Sequence, residues 1–462
     1  MNCHICALLF GGVLVLLLLV SSAFGADGWW NESWQYRRAI TINNENPHDL
    51  FDYQVEIVVP CFKGMNYNFS DIRFTYKFGD EEREIPYWIE ELRPENATVW
   101  VKVPYIPKIS NTTVYMYYGN PSATSKSDGD AVFEFFDDFE TWTGWTQYGE
   151  GKVSQDDTRT YDGSYSAYKT TACDPNGAYK SLGKTLGRNI ALHFRVNRNS
   201  GYTGNCHCDR IGILNADGDG YGWGYDHDNN EIFIDKRTDY NATDFHRTSA
   251  TDEMDAWSKG ILKITRNTIY AERYLSDGTP AGSTSLNDVD YTNFNRIYIF
   301  GGYDYWVDQI FIRKYSEPEP IANVWWIEQS KDFYVFLRTD KANYSTGDVV
   351  NLVIEVNRMQ ENPQVMKFKL ELEDLDDKPD TLIETGSFLM PAKFHKKVVL
   401  RFAIPESPFV SSGRYAFKAY LIEPSLGEIL AYDAVYFYVK EKEAKAKEQQ
   451  SEAFAAFSLV EG

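Results

Sequence analysis

The chain has 462 residues, 46 basic against 67 acidic, a formal net charge of −21 and 16% aromatic side chains. This acidity argues against a nucleic-acid partner, because no Lys/Arg cluster supplies the basic footprint that a phosphate backbone requires. The length exceeds what one core fills and points to three domains, and the 32 Tyr and 12 Trp favour strands over helices.

Residues 1–25 read as a signal peptide. Ala7–Val20 is an unbroken run of apolar residues and Gly, and Ser21–Gly25 supplies small residues ahead of a cut after Gly25. No Lys or Arg precedes the run, so an uncleaved N-terminal anchor is the alternative. Either way an exported protein is expected, extracellular or at the cell surface, with no transmembrane span after signal cleavage. Export is compatible with the Asn-x-Ser/Thr sequons at Asn31, Asn68, Asn96, Asn111, Asn241 and Asn343. Cleavage leaves Cys61, Cys173, Cys206 and Cys208, and an oxidising compartment predicts a bond from Cys173 to either Cys206 or Cys208. The run Cys206-His207-Cys208 does not read as zinc. Ligands so close together do not wrap one tetrahedral ion, and no second Cys/His pair follows.

Residues 29–130 read as an antiparallel β-sandwich. Strands are expected at Trp34–Asn43, Tyr53–Pro60, Asp71–Lys77, Glu84–Leu92, Ala97–Ile106 and Thr112–Tyr118, with Asn, Pro, Gly and Asp between them. Alternation puts Val99, Val101 and Val103 on one face and Trp100 with Lys102 on the other. Ile85, Tyr87 and Ile89 oppose Trp88 and Glu90 in the same way. The aromatic and charged face suits sugar stacking or a partner, or else packs on a neighbouring domain. The motifs Trp34–Ile42, Asp71–Phe74, Pro86–Glu90, Val99–Pro104 and Tyr117–Pro121 resemble the family called domain of unknown function 2341. That resemblance implies an exported archaeal or bacterial surface module without assigned activity, commonly followed by a laminin-G or concanavalin-like jelly roll.

Residues 131–318 carry many short strands with turn signals, as in a jelly-roll sandwich. Phe136–Glu140, Asp162–Ser166 and Val307–Tyr315 resemble, more loosely, the concanavalin-like jelly rolls that follow that family. Asn215, Asp217, Asp219 and Asp226, with Gly220, have the spacing of a calcium loop with oxygen ligands at positions one, three, five and twelve. A Gly/Asp hairpin explains the same letters. The resemblance implies a second calcium site where Asp137 or Asp138 meets Asp308. Tyr221-Gly-Trp223-Gly-Tyr225, if extended, puts three rings on one face and glycines on the other. Those rings suit a sugar, with Asp226 and His227 beside them for hydroxyls, or else they fill the core.

Residues 330–440 resemble the immunoglobulin-like sandwiches of surface proteins, with Phe368, Leu370 and Leu372 alternating against Lys367, Lys369 and Glu371. Residues 441–462 are charged and helix-prone, or disordered. A glycosidase needs two carboxylates about 5 Å apart. The acids of Glu134–Glu140 have the wrong spacing, and Glu231 with Asp235 lack a third acid in register, so no catalytic residues are assigned. The expected fold is all-β, three consecutive antiparallel β-sandwiches with a short helical tail. The expected function is a non-catalytic surface recognition or adhesion protein that binds glycan through the jelly roll with calcium support. The alternatives are a scaffold binding a cell-envelope protein and, further off, a glycoside hydrolase.

Overall fold

The computed structural model describes residues 29–78, 81–150, 152–171, 174–200, 208–302, 304–324, 327–375, 380–405, 412–441 and 458–459. The expected signal peptide, Cys173 and Cys206 lie outside them. The regular structure of the described residues is nearly all strand, and their one helix is the short Gly129–Val132. Among them no helix is long and apolar enough to cross a membrane. The chain forms two compact units, one from the residues up to Asp128 together with those from Pro318 onward, the other from Gly129–Glu317.

In the first unit most expected strands form close to where alternation places them, at Tyr36–Asn44, Leu50–Pro60, Arg73–Phe78, Asn96–Ile106 and Ser110–Tyr118. The single strand expected over Glu84–Leu92 is instead broken into Glu81–Ile85 and Tyr87–Leu92. Pro86 sits at the break, where its missing N–H cannot serve a ladder. The halves join different sheets, one against Arg73–Phe78 and the other against Asn96–Ile106. Val99, Val101 and Val103 enter the core with Ile40, Ile42 and Ile57. On the opposite face Trp88 and Trp100 are direct cross-strand partners, and they are only 7% and 1% exposed. The Trp100 indole donates to Glu90 Oε2 at 2.8 Å. Neither ring lies open to a sugar.

The first and third sandwiches are not separate. They share one ten-stranded sheet. The stretch between the second and third expected domains, with the first residue of the third, supplies the join. Ile321–Val324 pairs with the segment running from Asn43 back to Ile40, and Gln329 and Ser330 pair with Arg37 and Tyr36. Between the sandwiches Arg37 is fully buried, with the rings of Trp29, Tyr115, Tyr117, Tyr334 and Phe336 all within 5.8 Å of its guanidinium. Asp433, also fully buried, accepts hydrogen bonds from Tyr115 Oη at 2.8 Å and Leu337 N at 2.7 Å, with Lys77 Nζ at 3.7 Å. In the third sandwich Phe368, Leu370 and Leu372 turn inward as their alternation predicts. Of the tail expected as helical or disordered, Ser458 and Leu459 pair as strand with Ala403 and Phe402, and residues 442–457 lie outside the described residues.

The second unit is a sandwich of an eight-stranded and a seven-stranded sheet around one core. Its first and last strands meet, Phe135–Asp137 pairing with Tyr305–Lys314.

Candidate functional site

The proposed stacking row is core. Tyr221, Trp223 and Tyr225 each show no exposure and pack with Phe194, Ile211, Ile234 and Ile299. Trp223 meets Phe194 edge-on at 5.2 Å and its indole donates to the Glu272 carbonyl at 2.9 Å. Sheet pairing decides this: with strands on both sides, the ring face of Gly220–Asp226 is the face toward the second sheet. A ligand row on these three residues is therefore excluded.

His227 follows the rings inward, edge-on to Tyr225 at 4.7 Å. Its Nε2 lies 2.8 Å from Asp209 Oδ2 and its Nδ1 lies 3.0 Å from Asp252 Oδ1. Burial works against a charged imidazole, but the two carboxylates outweigh it and raise the pKa. Burial likewise pushes Asp209 up, and Arg198 and His227 overcome it and bring the carboxyl down to about 2. His227 is thus held by two carboxylates and is 8% exposed, with no open side for a ligand.

The calcium-loop letters are explained by hairpins. Asn215 Oδ1 accepts from Asp217 N and Asp219 N, both at 2.9 Å, closing the turn before Gly220. Asp219 Oδ1 accepts from Asp239 N at 2.9 Å and so ties this turn to the next one. Asp226 sits at the far end of the strand Gly220–Asp226, a span of roughly 20 Å at the strand rise. There it accepts from Arg247 Nη1 at 2.7 Å and from Asp228 N at 3.0 Å. The four residues do not converge. Asp138 follows a strand whose Asp137 pairs with Ile310, on the strand that carries Asp308, and among the described residues no group of three or more His, Cys, Asp or Glu could hold a metal ion. Asp308 Oδ2 accepts from Tyr161 N at 2.8 Å, and burial pushes the carboxyl up to about 7. Burial also raises Asp138. Asp137 itself bonds to Trp145 Nε1 at 3.0 Å and Lys180 Nζ at 2.8 Å.

Cys208 is a free thiol, as is Cys61, so the Cys173–Cys208 alternative does not form. Burial pushes the Cys208 thiol up to about 11, away from reactivity.

The glycine face of the same strand is where polar chemistry gathers. Register aligns Tyr179, Tyr298, Gly212, Gly222 and Asp235 as one row across five strands. A Cβ on Gly222 would lie 1.9 Å from Tyr298 Oη, and one on Gly224 2.0 Å from the Phe233 ring, so both positions require glycine for neighbouring rings to lie across the strand. Asp235 is fully buried and accepts from Tyr298 Oη at 2.7 Å, Arg210 Nη1 at 3.1 Å and Arg237 Nε at 2.8 Å. Phe233 lies between the guanidiniums of Arg210 and Arg247, at 4.7 and 4.5 Å. Toward the turns the face turns aromatic and half-exposed. Tyr148 stacks on Tyr240 at 4.3 Å, and Arg296 covers Tyr179 at 4.9 Å while donating to Tyr240 Oη. Asp235 and Glu231, weighed from the sequence as glycosidase acids, are here a buried ion-pair centre and a partner of Arg247 at 3.2 Å. Sequence reading missed Tyr148, Tyr179, Tyr240 and Arg296. The alternating glycines signalled the face, but its occupants come from other strands.

Residues 68–148 match the model of DUF2341, a domain of unknown function. The motif Trp34–Ile42 lies ahead of that match. The chain is 34% identical over 223 residues to Uncharacterized protein MJ1394 of Methanocaldococcus jannaschii, covering 48% of this chain and 22% of that protein. It thus spans about a fifth of the length of that relative. Among solved structures it is similar to the carbohydrate-binding module CBM66 from Bacillus subtilis, at 9% identity and a TM-score of 0.28, over 37% of this chain and 96% of the module. It is also similar to the exoplasmic domain of VIP36 in a Ca2+/Man3GlcNAc-bound form, at 10% identity and a TM-score of 0.29, over 40% of this chain and 89% of that one.

Proposed function

We propose that this is a non-catalytic, exported surface recognition protein whose jelly roll binds glycan on the glycine-floored face of its seven-stranded sheet. The observation that carries this reading is the half-exposed group Tyr148, Tyr179 and Tyr240 with Arg296, set beside the Asp235 network. Tyrosine rings offer a sugar an apolar face and a hydroxyl together, and fixed guanidinium and carboxylate groups orient its hydroxyls. The carboxylates of this face are tied to arginines, which suits binding rather than proton transfer. In this reading calcium support belongs at Asp138 and Asp308, one half-buried and one buried carboxyl with raised pKa values, each of which a divalent cation would stabilise. The third sandwich, immunoglobulin-like in this reading, and the first serve to present the jelly roll.

The test is affinity electrophoresis of the chain from Ala26 onward against a polysaccharide panel. Retardation by at least one neutral polysaccharide, reduced about tenfold in Tyr179→Ala and Tyr148→Ala, supports the assignment, since losing one stacked ring costs about 1–3 kcal/mol. Retardation unchanged in both variants would sink it. A scaffold role takes its place if no polysaccharide binds, and the shared sheet of the first unit, which fixes two sandwiches together, favours that second reading.

A further inference from the structure

Lys77, on the strand Arg73–Phe78 of the first sandwich, faces Asp433, on the strand Ile429–Lys440 of the third, with Nζ 3.7 Å from Oδ2. The carboxylate is fully buried and the lysine side chain is 17% exposed. The ammonium lies 3.5 Å from the centre of the Phe336 ring and 4.5 Å from that of Tyr115. Burial pulls the Lys77 pKa down to about 8, although Asp433 and Glu82 oppose it. Tyr115 Oη stands between the two groups. It accepts from Lys77 Nζ at 2.7 Å and donates to Asp433, with the two carboxylate oxygens at 2.8 and 2.9 Å. Leu337 holds both partners in place. Its carbonyl accepts from Lys77 Nζ at 3.0 Å, and its N–H donates to Asp433 Oδ2 at 2.7 Å.

We propose that Lys77 and Asp433 condense to an isopeptide bond that locks the first sandwich to the third. The hydrogen-bond chain is the proton path. Lys77 gives a proton to Tyr115 Oη as Tyr115 passes its own to Asp433, which turns an ammonium and a carboxylate into an amine and a carboxylic acid. The amine attacks Cγ, the Nζ–Cγ bond forms, and the Cγ–O bond to the protonated oxygen breaks. The departing hydroxyl takes a second proton from Nζ and leaves as water, through the cleft lined by Lys77, Leu337 and Ala434. Atoms and charge balance with no further reactant. Two groups held side by side in this way react as if at very high concentration. Condensation also removes two opposite charges from a site where their desolvation is costly, and it leaves Arg37 facing Glu82 at 3.7 Å. The bond would do for this unit what a disulfide does, in a chain whose Cys61 and Cys208 are free thiols.

The intact mass of the chain from Ala26 onward tests this. The chain should be lighter than its sequence by one water, and a tryptic digest should contain a branched peptide that joins Lys77 to Asp433. Lys77→Arg keeps a positive charge beside Asp433 but stays protonated and cannot condense, so it should show the full mass. Tyr115→Phe breaks the proton path and should slow the loss of water at least about a hundredfold, the size of general acid–base assistance. Mass spectra taken at intervals after a pulse of synthesis read that rate. A full mass in the parent chain, with Lys77 and Asp433 in separate peptides, would overturn the proposal. So would a water loss that persists in Lys77→Arg, or a rate indifferent to Tyr115→Phe.

Discussion

At the scale of single residues, protonation is set by packing. Asp308 holds its proton in the folded state with a pKa of about 7, against about 3.9 in an unfolded chain. Its contribution to stability is therefore complete below about pH 3.9 and disappears as pH rises through about 7. His227 has the same sign: its raised folded value gives stability that is full below the unfolded pKa of about 6.5 and is lost as pH climbs through the folded one. With chelator present, the melting temperature should fall from pH 5 to pH 8. Asp308→Asn should flatten part of that slope, and calcium should restore stability at pH 8 in the parent chain only. A slope identical in parent and Asp308→Asn would refute the assignment. Asp209 has the opposite sign. Its depressed value gives stability present above about pH 3.9 that is lost as pH falls toward about 2.

At the scale of elements, the strand Gly220–Asp226 is the informative one. Its rings and glycines divide cleanly between two faces, as the period of two requires. Trp223→Ala should cost about 3–5 kcal/mol in urea unfolding, the range for emptying a large buried side chain. A loss below about 1 kcal/mol would mean that the ring is not core. Gly222→Ala should cost about 1–3 kcal/mol by driving a methyl into Tyr298, whereas Gly187→Ala, with nothing within 4 Å of its added carbon, should be nearly neutral. Equal effects of the two substitutions would contradict the glycine-floored face. The ring row was legible from the letters, and so was its alternative as core. Which face meets the second sheet is a property of pairing between strands far apart in sequence, such as Ile299 with Ile211.

At the scale of the whole molecule, the first sandwich depends on residues that follow the jelly roll. Ile40–Asn43 is paired on one side by Ser110–Tyr118 and on the other by Ile321–Val324, and Ala322 and Val324 pack on the first core. Residues 29–130 alone therefore expose a hydrophobic edge and should not unfold cooperatively, whereas residues 129–317, with both sheets and one core, should. Thermal melts of the two fragments check this. A sharp transition in the shorter fragment would show the shared sheet to be dispensable. Asp433→Ala, which removes the buried carboxylate facing Lys77 at 3.7 Å and leaves Glu82 at 3.7 Å from Arg37, should cost about 3–5 kcal/mol in the full chain.

Local pattern was enough for the all-β class, for most strands of the first sandwich and for the inward faces at Val99–Val103 and Phe368–Leu372, because alternation is imposed by each strand's own geometry. Spacing misled at Asn215–Asp226, since twelve letters that curl around an ion in a loop lie stretched apart once a strand runs through them. The sheet shared by the first and third sandwiches, the burial of Trp88 and Trp100, and the gathering of Tyr148, Tyr179, Tyr240 and Arg296 were left to the tertiary structure. Each depends on which distant strands hydrogen-bond and in which register, and a backbone amide carries no label for its partner.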